Sequence, residues 1–273
     1  MGKKKITPYA VISMILLVLV ALVFIFPFYR IMTGAFNDPT NVWKAELFPS
    51  KLTMQNFVRL FKQPAWKWLY NSVFIALVSM ILVCGTASLA GYALAKKRFF
   101  GQKIVFTLFI CAMALPKQVV LVPLVRIMST FGIYDNVWAV ILPTVGWPFG
   151  VFLMKQFSET IPTEMLEAAR IDGAGELRTF WSVVFPVVKP GVGALSIFTF
   201  INTWNDYFLQ LVMLTSTENL TIALGIARLQ SADVIEYGPL IAGAALAAIP
   251  IVTIFICFQK YFTQGITMGA VKG

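Results

Sequence analysis

The sequence predicts an all-α integral membrane protein with six transmembrane helices, and three observations carry that prediction. Apolar residues make up 59% of the 273 residues and charged residues only 12%, with a mean hydropathy of +0.80. Soluble domains run at about half apolar and about a quarter charged, so this chain cannot coat a water-facing surface and lipid must cover much of it. Second, six apolar runs occur, at 6–29, 68–95, 104–128, 136–154, 190–214 and 237–258. Each suffices to cross a hydrocarbon core, which takes about 20 residues of helix. Third, the Lys and Arg residues gather at the ends of those runs. The net charge of +10 would suit a nucleic acid, but this placement fits membrane topology better and argues against such a partner.

The first run follows Lys3-Lys4-Lys5. It exceeds the roughly 7–15 apolar residues of a signal peptide and lacks a small-x-small cleavage site, so it reads as an uncleaved span. The polar segment 33–67 holds Pro39, Pro49 and Pro64 with Trp43, Phe48, Phe57, Phe61 and Trp66 between its charges. Such a mix suits short amphipathic pieces at the membrane interface, or a surface loop with aromatic anchors. The organisation expected is therefore an N-terminal span with an outer interfacial loop (1–67), a five-span core (68–262) and a C-terminal tail (263–273). With the amino terminus inside, 13 Lys and Arg fall in cytoplasmic segments and eight in outer ones. Lys117 lies in a span, which accounts for all 22. The short loop holding Lys96, Lys97, Arg98 and Lys103 weighs most. Both termini are therefore expected in the cytoplasm.

Cys84, Cys111 and Cys257 sit in apolar runs with no paired or ligand spacing, and the chain has no His. No metal site or disulfide framework is expected. No G-x-x-x-x-G-K-[ST] phosphate loop occurs, nor any nucleophile–base arrangement. The chain is expected to be non-catalytic and to bind no cofactor.

The charged segment between the fourth and fifth runs, about 158–189, stands out in so apolar a chain. Pro162 suits a first helical turn that Thr160 or Thr163 would cap, and Glu164 and Glu167 suit the positive end of a helix dipole. Leu166 and Ala169 share a narrow face. Gly173 suits a left-handed helix end, and a second helix over about 176–184 should stop at Pro186 and Pro190. This is either a solvated loop or a docking knob.

Asp206, inside the fifth run, would cost about 2.5–3.5 kcal/mol in a bilayer and so should face water or the bundle interior. With Asn202, Trp204 and Asn205 it forms either a hydrogen-bonded knot, with Lys117 or Arg126 as counter-ion, or a sugar-contacting group. Pro116 and Pro123 interrupt the third run and Pro143 the fourth. These are ordinary kinks, or an unwound helix offering Gln118 to a path. An ion-gradient carrier using Asp206 is the rival to any ATP-driven reading, although no inverted repeat supports it.

Glu167-Ala168-Ala169, Asp172-Gly173-Ala174, Phe185-Pro186 and Lys189-Pro190 resemble the EAA loop of ABC-importer permeases. Trp204-Asn205-Asp206, the Pro116–Gln118–Pro123 pattern and the ending Gly265-Ile266-Thr267-Met268-Gly269 are similar to its carbohydrate-uptake branch, and to the shorter six-span subunit of maltose-type systems in particular. The likeness covers the chain well from about residue 68 onward. It implies a type I ABC-importer permease fold with a cytoplasmic coupling helix between spans four and five. It also implies a second, homologous permease, an ATPase dimer carrying ATP and Mg, an extracytoplasmic sugar-binding protein, and a bacterial or archaeal cell membrane. By that likeness Glu167, Ala168, Ala169, Asp172, Gly173, Ala174, Phe185 and Pro186 would couple to the ATPase. Asn202, Trp204, Asn205, Asp206 and Gln118 would lie near the path, with most sugar contacts on the longer partner permease. Gln264, Gly265 and Gly269 would reach between the ATPase subunits; on chemistry alone they read as a frayed end.

Overall fold

The computed structural model describes residues 7–39, 47–49, 51–230 and 237–270, except for the side chains of 261–270. All regular structure among them is helical. Four helical stretches are long and apolar enough to span a membrane: Pro8–Ala35, Ala65–Lys96, Glu176–Trp204 and Tyr237–Lys260. Two bent pairs, Gln102–Met113 with Lys117–Thr130 and Val137–Val145 with Pro148–Glu159, bring the number to six if each pair is one span.

The chain divides into two compact units. The first comprises residues 1–65 and 225–248. Its α1 (Pro8–Ala35) begins with Pro8 in the first turn and Thr7 Oγ1 accepting the Ala10 N–H at 3.4 Å. It runs six residues beyond the expected end and carries Arg30 within it. At 1.5 Å per residue it is about 42 Å long, more than the roughly 30 Å hydrocarbon core. The side chains from Tyr9 to Phe28 are almost all exposed within this chain, so they need an apolar environment from outside it. The far end of α1 is capped by a buried amide. On α2 (Gln55–Leu60), Asn56 Nδ2 donates to the carbonyls of Asn37 at 2.9 Å and Ala35 at 3.2 Å. Gly238, near the start of α13 (Tyr237–Ala270), lies so close that a Cβ there would sit 2.1 Å from Asn56 Oδ1. In the expected interfacial segment, Phe48 and Trp66 are exposed; Trp43 lies outside the described residues.

The second unit comprises residues 66–224 and 249–273. Its core joins α3 (Ala65–Lys96), α7 (Pro148–Glu159) and α10 (Phe185–Trp204) through Val83, Ala87, Val151, Met154, Val188 and Leu195. Gly91 lets α3 and α7 touch backbone to backbone, since a Cβ there would meet Lys155 N and Met154 C at 2.6 Å.

The expected third, fourth and fifth spans are broken. Between α4 (Gln102–Met113) and α5 (Lys117–Thr130) the chain turns by 106°, far beyond a proline kink. Pro116 is extended at the N-cap of α5, and a residue preceding proline is itself pushed out of helix. Between α6 (Val137–Val145) and α7 the bend is 40°, at Gly146-Trp147 ahead of Pro148. Pro123 and Pro143, by contrast, stay inside α5 and α6.

The fifth span is displaced from the expected position. It starts at Glu176 and ends at Trp204, not 190–214. Pro186 and Pro190 do not stop it. After α9 (Glu176–Thr179) the residues Phe180–Val184 form a π-helical turn in which Phe185 N–H reaches Phe180 O. The wider turn makes room for the Pro186 ring, and Pro186 falls in the first turn of α10, where its missing N–H costs little. After Trp204 the chain breaks, and Asp206 caps α11 (Tyr207–Met213), its carboxylate accepting Leu209 N–H at 3.4 Å. Asp206 therefore lies at a helix end rather than within a span. A 3₁₀ turn at Thr217–Asn219 and α12 (Ile222–Gln230) follow. The last helix, α13, continues to Ala270 with no break at the expected 258, because no proline follows Pro250.

Candidate functional site

The polar segment after α7 forms α8 (Thr163–Ile171), closed by Asp172 and by Gly173 at φ +74°, in the left-handed region that favours glycine. Its N-cap is Pro162, extended and without a side-chain hydrogen bond. Thr160 does not cap it, because its hydroxyl donates to Phe157 O at 2.7 Å and closes α7 instead. Glu164 lies in the first turn and Arg170 in the last, each favoured by the helix dipole.

The faces of α8 differ from the sequence expectation. Leu166 and Ala169 are buried against this chain's own core, where Leu166 joins Tyr92, Met154 and Phe180. The outward face carries Glu164, Glu167, Ala168 and Ile171, with Ile171 87% exposed, and Leu177 stands 71% exposed beyond the glycine. Asp172 and Gly173 are exposed, Ala174 is half-buried, Phe185 packs on the core and Pro186 is exposed.

Cations hold this segment to the spans. Lys96 Nζ donates to Ile161 O at 2.6 Å and Glu159 O at 3.1 Å, closing the end of α7. Lys97 pairs with Glu176 and lies over the Tyr92 ring at 5.1 Å. Arg170 reaches the same Glu176 at 3.7 Å. Exposed pairs contribute little each, so the buried Leu166 is what anchors α8.

The second candidate site lies at the helix breaks. Pro116, Trp147 and Asp206, one from each break, line a single cavity of about 290 Å3 with Gln118 and Asn202. A second cavity of about 620 Å3 is lined by Phe149, Phe198, Asn202, Asn205 and Asp206. Lys117, Trp147, Asn202 and Asp206 belong to both walls. Lys117 Nζ donates to Asn202 Oδ1 at 3.1 Å and Asp206 Oδ2 at 3.2 Å. The lysine is 53% exposed and the aspartate 18%, so the ammonium remains open to the cavity.

Trp204 is not in either wall. It is buried and stacks on Phe200 at 5.5 Å, so the aromatic shared by the two walls is Trp147, which the sequence reading passed over. The signal was Gly146-Trp147-Pro148, since glycine and a pre-proline position together oppose continuation of a helix.

Behind these cavities the segment after α11 is tied down. Gln210 donates to Thr203 O at 2.8 Å and accepts from Thr221 at 2.7 Å. Asp135, at φ 56°, accepts the N–H groups of Thr215 at 2.7 Å and Ser216 at 3.0 Å as well as the Ser216 hydroxyl. Burial disfavours its charge, but the hydrogen bonds from Ser216, Thr215 and Asn219 outweigh it and hold the carboxyl below the usual range. No group of three or more metal-ligating side chains occurs among the described residues.

Residues 87–268 match the family of binding-protein-dependent transport system inner membrane components. The chain belongs to this family. The family segment contains both α8 and the three-break cavity. This transport-system component is 34% identical to the arabinooligosaccharides transport system permease protein AraQ of Halalkalibacterium halodurans, over 93% of each chain. It is 35% identical to the maltodextrin transport system permease protein MdxG of Bacillus subtilis, over 94% of each. Its fold matches a chain of a bacterial ABC transporter that imports the acidic polysaccharide alginate. The TM-score is 0.81, with 21% identity over 96% of this chain and 99% of the other. The inner membrane component thus has the type I ABC-importer permease fold, and the rival reading as an ion-gradient carrier gives way to its family.

Proposed function

We propose that the chain is the translocation subunit of an ATP-driven importer of di- or oligosaccharides. Its relatives include permeases named for arabinooligosaccharides, maltodextrin and lactose. A structural neighbour was captured with a pentasaccharide-bound periplasmic protein, which supports an extracytoplasmic binding protein as partner here. A second, homologous permease and an ATPase dimer with ATP and Mg complete the assembly. The termini and α8 face the cytoplasm.

The observation that carries the reading is α8 itself. Its inner face is part of the core that packs α3, α7 and α10, while its outer face offers Glu167, Ala168 and Ile171. A motor that pulls on such a helix moves the spans with it. ATP would close the ATPase pair, bring the α8 helices together and turn the cavity outward; hydrolysis would reset it. Only a difference in affinity between the two states drives that cycle. Residues Gln264, Gly265 and Gly269, on helical backbone whose side chains lie outside the described residues, are proposed to touch the ATPase pair.

The test is uptake by the full complex in proteoliposomes with maltotriose, arabinotriose or raffinose and the binding protein. Uptake should require ATP and survive collapse of ion gradients. Gly173→Val should keep ATP hydrolysis while losing uptake, or lose the ATPase. Uptake that follows an ion gradient without ATP, or normal coupling in Gly173→Val, overturns the reading.

A further inference from the structure

We propose that Trp147, Lys117, Asn202 and Asp206 form a subsite for one neutral ring of the transported saccharide. The inference rests on the sugar-importer reading above and adds where, and by what chemistry, this subunit would hold its cargo.

The geometry comes first. These four residues are the walls shared by the 290 Å3 and 620 Å3 cavities, so anything passing from one to the other meets them. The volumes lie at the lower end and the middle of the about 300–1,000 Å3 usual for ligand pockets. Trp147 is partly buried, with its ring 5.1 Å from that of Phe149, which in turn meets Phe198 at 5.6 Å. An indole fixed in this way presents a flat apolar surface at low entropic cost, which is what the C–H face of a pyranose or furanose stacks on.

The unused hydrogen-bonding capacity fits hydroxyl groups. Lys117 has three donors, of which two are placed, on Asn202 and Asp206. The Asn202 amide hydrogens have no protein acceptor among the described residues, since that side chain serves only as acceptor for Lys117. Asp206 accepts from Lys117 and from Leu209 N–H, leaving about two of its roughly four lone-pair sites free. Spare donors beside spare acceptors are what two neighbouring hydroxyls require, as each donates one hydrogen bond and accepts another.

The charges favour no ionic cargo. Lys117 and Asp206 are the only charged residues in either wall among the described residues, and they cancel. A uronate would be drawn to the Lys117 ammonium but repelled by the Asp206 carboxylate 3.2 Å away, and an amino sugar the reverse, so an ionic ring gains nothing on balance, whereas a neutral ring hydrogen-bonds to both members of the pair. The lysine is also half open to the cavity, so it can turn its third donor to a hydroxyl without the pair being broken.

The decisive experiment is equilibrium dialysis of the purified importer complex, held with a non-hydrolysable ATP analogue, against radiolabelled maltotriose, arabinotriose and raffinose. The wild type should bind at least one of them. Trp147→Ala should weaken that sugar by about tenfold, roughly 1.4 kcal/mol, while Trp147→Phe should stay within about threefold because a phenyl face remains. Replacing both charges, Lys117→Met with Asp206→Leu, should also weaken it without leaving an unpaired ion and serves if the alanine variant fails to assemble. Undiminished binding in Trp147→Ala and in the Lys117→Met, Asp206→Leu variant overturns the subsite, as does wild-type protein that imports a sugar with ATP yet binds none of them. Absence of ATP-dependent uptake in the wild type overturns the importer reading as well, so the two failures are distinguishable.

Discussion

Single residues here divide between those that hold the fold and those that the proposed assembly leaves for a partner. Ile171 is of the second kind: it is 87% exposed at the end of a helix whose other branched apolar residue, Leu166, is buried. Ile171→Glu should leave the melting temperature of the detergent-solubilised subunit within about 1–2 °C, as surface changes do, yet weaken ATPase association in a pull-down. A large loss of stability would place Ile171 in the fold instead. Asp135 is of the first kind, joining the start of α6 to the residues after α11 through three hydrogen bonds. Asp135→Ala removes them and leaves a β-carbon at φ 56°, at an expected cost of roughly 1–3 kcal/mol. Because the folded carboxyl titrates below its ordinary value, its contribution is present above the unfolded pKa of about 3.9. It is lost as pH falls through the lower folded value. Melting curves from pH 7 to pH 3 should thus fall for the wild type and flatten for the variant in the acid range.

At the scale of elements, close approaches rather than charges set the packing. Gly91→Ala would drive a methyl group into backbone atoms of Lys155 and Met154 at 2.6 Å, and backbone cannot swing aside as a side chain can. Separating α3 from α7 should cost about 1–3 kcal/mol, read as a lowered melting temperature; an unchanged value would mean that the crossing is loose. The apolar runs made the existence of each span legible, because lipid imposes length and composition directly. The left-handed Gly173 was legible for the same kind of reason, since few residues adopt that conformation. Which proline breaks its helix was not. Proline marks both Pro116, where the chain turns sharply, and Pro190, where α10 runs on, and the difference lies in what each helix packs against. Likewise Leu166 and Ala169 were legible as one face, but which side that face turned to depended on the Phe180 π-turn and on Tyr92, distant in sequence.

For the whole molecule, the proposed import cycle depends on how stiffly α8 follows the spans. Lys96 fixes the turn before α8 through Glu159 and Ile161. Lys96→Met should lower sugar imported per ATP hydrolysed more than it lowers ATPase activity, measured in parallel on the same proteoliposomes; equal reduction of both would assign Lys96 to assembly alone. The cavity has a different dependence on the fold. Its walls are built at the ends of α4, α5, α6, α7, α10 and α11, while the tightest packing lies along α3, α7 and α10. A residue at a helix end touches few core neighbours, so it can change size or charge without repacking a span. One scaffold could thus be turned to new cargo by a handful of exchanges around Trp147 and Asn202, leaving the proposed motor contact at α8 untouched. Diversification of this kind requires no new fold, only new lining at the joints.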